Sequence, residues 1–190
     1  MNNALRLPKS FEEVTEATLL PEDWYQLRLV KPAQILPNGS LKEWMKENGK
    51  KGKADQLYEI AAEAEGWENE NGQIAGINWV LDLKTVSHDT MVNGRAFRIY
   101  LPIPVAGDDK RVTPMGQTQE DAKMERIQKH LEAFQGEIDL AAQNAELAPG
   151  DSAMFYIVQR ESNFGQNAGK MENTIDIGTD PQSVDMFENE

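Results

Sequence analysis

A chain of 190 residues can bury one substantial core, while a net charge of −13 disfavours the approach of polyanions to the molecule as a whole. Cysteine is absent, which excludes a disulfide framework and thiol chemistry. No run is apolar enough for a membrane span, and Met1–Arg6 lacks the apolar core of a signal peptide, so a cytoplasmic protein is expected.

Met1–Asp23 is a polar lead-in. Ser10 and Glu13 have capping-box spacing for one helical turn, and Leu19-Leu20-Pro21 ends it. Trp24–Lys31 alternates, with Tyr25, Leu27 and Leu29 on one face and Gln26 and Arg28 on the other, so a first strand is predicted. Pro32 and Pro37-Asn38-Gly39 close it. Ser40-Leu41-Lys42-Glu43 has the capping-box pattern of a short helix, with Leu41, Trp44 and Met45 on one side. A second helix over Ala54–Glu65 aligns Leu57, Ile60, Ala61 and Ala64. Together residues 40–66 read as a helical insertion after the first strand.

Ile74–Val86 alternates Ile77, Trp79, Leu81 and Leu83 with Asn78, Val80, Asp82 and Lys84, and Gly94–Ile103 alternates Phe97, Ile99 and Leu101 with Arg98 and Tyr100. The Asn93-Gly94 dipeptide joins them as a hairpin. Thr118 is the predicted cap of a helix whose stripe is Met124, Ile127, Leu131 and Phe134; helical character extends over residues 119–147. Ser152–Arg160 and Lys170–Ile177 are the last two strands, joined by the loop Ser162–Gly169. Thr179–Glu190 carries Asp180, Asp185, Glu188 and Glu190 with no base and no periodicity, and reads as a disordered acidic tail.

The order strand, strand, strand, helix, strand, strand is the chain plan of a five-stranded OB-like barrel. The expectation is therefore a β-rich α+β fold. Its parts are an N-terminal lead-in over 1–23, one domain over 24–178, and the tail over 179–190.

Catalytic chemistry has no positive signal. Ser87-His88-Asp89 are neighbours in sequence and cannot form a triad, and His130 sits between apolar positions of a helix. Asp108-Asp109 reads as an exposed acidic turn. No HExxH, phosphate-loop or dinucleotide fingerprint occurs. No enzyme activity, cofactor or metal is expected.

Single strands are held by cations on the phosphates and aromatics under the bases. Arg28, Lys84, Arg95, Arg98, Arg160 and Lys170 are candidates for the first role; Tyr100, Tyr156 and Phe164 for the second. Asp185, Met186 and Phe187 form a candidate partner-binding hook within the tail. Outward Arg and Tyr residues are also ordinary on any half-exposed strand, and Trp79, Phe97 and Phe155 read as core.

Three stretches, Leu20-Pro21-Glu22-Asp23-Trp24-Tyr25, Asn93-Gly94-Arg95 to Leu101-Pro102, and Pro149-Gly150 through Asn173-Thr174-Ile175, resemble a family of small bacteriophage proteins encoded near replication and recombination genes, some of them single-stranded DNA-binding proteins. The insert Ser40–Glu65 and the connection Ile103–Thr118 depart from that pattern. The ending Met186–Glu190 is similar to acidic single-strand-binding tails, but three residues follow Phe187 where such tails end on an aromatic. The resemblance implies a non-catalytic protein that coats single-stranded DNA in the host-cell cytoplasm. It also implies replication or recombination proteins as partners of the tail, and self-association. Two other readings stay open, a phage structural or assembly protein and an acidic inhibitor that mimics DNA. The acidity suits both.

Overall fold

The computed structural model describes residues 19–135, 147–162 and 168–187. Within them six strands form one antiparallel, open sheet, accompanied by three α-helices. The strands are β1 (Asp23–Leu29), β2 (Gln34–Pro37), β3 (Ile77–Thr85), β4 (Ala96–Ile103), β5 (Ser152–Glu161) and β6 (Met171–Ile175). The helices are α1 (Gly39–Glu47), α2 (Leu57–Glu63) and α3 (Gln119–Gln135). The predicted hairpins β3–β4 and β5–β6 and the helical insertion are present.

The β-rich α+β expectation holds, while the expected five-stranded OB-like barrel is corrected to a six-stranded sheet that does not close among the described residues. The predicted first strand breaks at Val30–Ala33, where Pro32 lacks the N–H a ladder needs. The chain then resumes as β2. β1 and β2 take successive halves of one β3 edge, Leu27–Leu29 pairing Leu83–Thr85 and Gln34–Pro37 pairing Ile77–Val80. β4 takes the other edge of β3, and β5 joins β1 to β6. No ladder joins β4 to β6 among the described residues, so the sheet stays open there.

Alternation sets the two faces of the sheet. Leu27, Leu29, Leu81, Leu83, Ile99, Leu101, Phe155 and Ile157 are buried in the main core, which α3 covers with Leu131 and Ala133. Phe155 packs on His130 and Phe134, at centroid distances of 6.1 and 5.8 Å. Met124 departs from the predicted stripe and is exposed. In that turn of the helix Lys123 is the residue drawn inward, its Nζ 2.6 Å from buried Asp108. Asp108 is thereby not the exposed acidic turn the sequence suggested. Its Oδ2 also accepts from the Val105 N–H at 2.8 Å, and Arg111 lies 3.5 Å from Oδ1.

The insertion has its own core of Leu41, Leu57, Ile60, Ala61, Ala64, Ala75 and Ile77. The cap of α1 is Asn38 rather than Ser40. Asn38 Oδ1 accepts from the N–H groups of Leu41 (2.8 Å) and Gly76 (3.1 Å), and its Nδ2 donates to the Ile74 carbonyl (2.8 Å). One side chain thus ties the helix start to the lead-in of β3, while Ser40 is buried and donates to the Gln73 carbonyl. At α3 the expected cap holds: Thr118 Oγ1 accepts from the Asp121 N–H at 3.0 Å.

The acidic C-terminal stretch does not trail away over residues 179–187. Gln182 exchanges two backbone hydrogen bonds with Met154 (2.8 and 3.0 Å), Pro181 is buried, and Lys129 pairs with Asp180 at 2.9 Å. A 3-10 turn, Val184–Met186, follows.

Candidate nucleic-acid interface

Residues of even number on β3 and β4 share the outer face, opposite the core. The register pairs Lys84 with Ala96, Asp82 with Arg98, Val80 with Tyr100 and Asn78 with Pro102. β1 extends this face, because Arg28 lies directly across from Lys84. Arg28 and Lys84 are both exposed, and neither has an ion-pair partner among the described residues. Two like charges directly opposite each other cost stability, so the fold tolerates this pair without gaining from it.

One turn of pleat away, Asp82 sits between two cations. Arg98 Nε donates to its Oδ1 at 2.6 Å and Lys31 Nζ lies 2.8 Å from Oδ2. Burial works to raise the Asp82 carboxyl, but the hydrogen bonds from Arg98 and Lys31 outweigh it and hold it below the usual carboxylate range. The same bond to Asp82, with a second donated to the Tyr100 hydroxyl oxygen, pushes the Arg98 guanidinium above its ordinary value. Two cations, Lys31 and Arg98, therefore hold the Asp82 carboxylate, and the Arg28–Lys84 pair lies next along the same face. Tyr100, 52% exposed, stands beside them.

An aromatic group occupies the same outer face on β1 and β5. Trp24 pairs in register with Tyr156, their rings edge-to-face with centroids 5.7 Å apart. Phe187 from the C-terminal stretch lies on Trp24 at 5.4 Å. Gln26 and Met154, the next pair along, separate this aromatic group from Arg28.

Several predicted site residues stand elsewhere. Arg95 follows the parity of Phe97 and Ile99, and its Nε donates to the Met91 carbonyl at 3.0 Å, so it braces the β3–β4 turn. Arg160 is on the outer face but pairs with Asp176 at 2.6 Å. Lys170 is exposed in the turn before β6. Phe164 lies outside the described residues. Asp185 and Met186 form the 3-10 turn, with Met186 exposed, while Phe187 is partly covered by Trp24. Lys31, Asp82 and Trp24 were missed. Trp24 shares the even parity of Gln26 and Arg28, a signal present in the alternation. Lys31 lies within the break between β1 and β2, where alternation carries no information.

A cleft of about 510 Å³ opens between β4, β6 and α3, at the place where the sheet does not close. Its charges balance, Arg98, Arg126 and Lys129 against Glu125, Asp176 and Asp180. No group of three or more His, Asp or Glu side chains is placed to hold a metal ion among the described residues. Among the described residues, no helix is long and apolar enough to cross a membrane. No family model matches the chain, and no curated protein matches it.

Proposed function

We propose that the protein binds single-stranded DNA with little sequence preference, across the outer face of β4, β3, β1 and β5. The observation that carries this reading is the exposed Arg28–Lys84 pair, with Lys31 and Arg98 beside it, on a chain of charge −13. Like charges held side by side on an acidic protein gain most from a polyanion that bridges them. Tyr100 and the Trp24–Tyr156 pair supply ring faces for bases, a contact that every base can make.

The connectivity supports an OB-like reading of the fold. β1 and β2 act as one interrupted strand, two hairpins flank a helix, and the barrel is left open between β4 and β6. In this reading the protein is non-catalytic, works in phage replication or recombination in the host cytoplasm, and presents Met186 and Phe187 to partner proteins.

Replacing Arg28 and Lys84 together by Ala tests the face. Affinity for oligo-dT should fall by roughly tenfold with the thermal transition unchanged. An unchanged affinity refutes the face.

A second reading rests on Glu59, Glu63, Glu65, Glu68 and Glu70, all exposed around α2. Such a surface suits an acidic mimic that occupies a DNA-binding enzyme. Tight binding to a basic nuclease, with none to oligo-dT, would select it.

A further inference from the structure

The outer face continues past Tyr100 into a second cleft. Asn78 and Pro102, the outer-face pair next after Val80 and Tyr100, line a hollow of about 290 Å³ together with Arg111, Gln119 and Lys123. Both cations reach buried Asp108, Lys123 at 2.6 Å and Arg111 at 3.5 Å, so the hollow carries one net positive charge. The larger cleft beside β6 is balanced, which makes it a poor host for phosphate. The Asp108 carboxylate, 2% exposed, does for this pair what a positioning residue does elsewhere. It holds two flexible side chains in place before any ligand arrives, which lowers the entropic cost of using them.

Resting on the reading above, we infer that Arg111 and Lys123 form a second phosphate subsite for the same strand, which runs along β3 and β4 from Arg28–Lys84 to this hollow. Six residue steps along β3 lead from Lys84 to Asn78, a path of about 20 Å. The strand passes Arg98 and Tyr100 on the way, with Asp108 fixing the far anchor. The ligand is a backbone phosphodiester, held by charge and hydrogen bonds without base readout.

The test compares oligo-dT of about 4 and about 16 nucleotides, the range of site sizes for one small single-strand-binding barrel. Three forms of the full chain are measured: wild type, Lys123→Gln and Arg111→Lys. Lys123→Gln should weaken the longer strand several-fold and lower the salt slope by about 0.7, the value for one lost phosphate contact on a single strand. The shorter strand should change less than about twofold, because the Arg28–Lys84 end already accommodates it. Arg111→Lys keeps the charge and should keep the slope, which separates phosphate binding from a structural role at Asp108. Thermal unfolding reports whether each variant folds. If wild type binds both strands and Lys123→Gln leaves the longer one unchanged, the subsite is refuted while the face stands. If wild type binds neither, the face and the subsite fall together.

Discussion

Asp82 decides how much positive charge the outer face can offer. Of the cations Arg28, Lys31, Lys84 and Arg98, it engages Lys31 and Arg98 directly. Lys31 and Arg98 are exposed but Asp82 is half-buried, and such pairs contribute about 1 kcal/mol, so Asp82→Asn should lower the thermal transition by only a few degrees. It should instead release Arg98 and Lys31 and tighten oligo-dT binding several-fold. Weaker binding would mean that Asp82 arranges the cations rather than neutralising them. Arg98→Ala with Tyr100→Ala removes one charge and one ring from the centre of the path and should cost at least tenfold in affinity. An isotherm that overlays wild type would remove both residues from the site. Their candidacy was legible from alternation alone, because Phe97, Ile99 and Leu101 claim the core side. The engagement of Arg98 by Asp82 was not, since pairing across strands depends on a register that the sequence leaves open.

At the scale of elements, α3 shows how packing overrides a stripe. Its sequence favours Met124 as a core residue, yet His130 and Ala133 are buried while Met124 is exposed. His130 Nδ1 donates to the Arg126 carbonyl at 2.8 Å, and burial, aided by the nearby Arg126 charge, lowers its pKa. Because the folded value lies below the unfolded one, the neutral ring contributes stability above the unfolded pKa of about 6.5. That contribution is lost as the pH falls through the folded value. Urea midpoints should therefore drop as the pH falls below about 6.5, and His130→Gln should flatten that drop. The same slope in both proteins would assign it to other groups. The Asn38 bridge makes a parallel case for the insertion. Asn38→Ala removes three hydrogen bonds and should destabilise the protein by about 2 kcal/mol, read from denaturant unfolding. The helix was visible in its apolar spacing. Its true cap was hidden because the Asn38 contacts reach residues 74–76, far along the chain. β2 was missed for a related reason: four residues between prolines and a helix start have too little alternation to read.

Among the described residues the sheet is open, and part of its acid lies away from the outer face, in the insertion. The insertion carries exposed glutamates, two of them paired with Lys50 and Lys110. In the C-terminal stretch Asp180 pairs with Lys129 of α3, and Gln182 is hydrogen-bonded along β5. Local hairpins were legible because each is defined by neighbouring residues and a turn. Closure of the barrel was not, because it depends on whether β4 and β6 meet across a long helical connection. The central claim is a cationic outer face on an acidic protein, and counterion release is its most direct signature. The decisive measurement is the affinity of the full chain for fluorescent oligo-dT across a series of salt concentrations, with Arg28→Ala/Lys84→Ala alongside. The account predicts a linear fall of log affinity with log salt, shallower by about 1.4 in the double variant, which has lost two phosphate contacts. Absence of binding at low salt, or identical slopes for the two proteins, would contradict it.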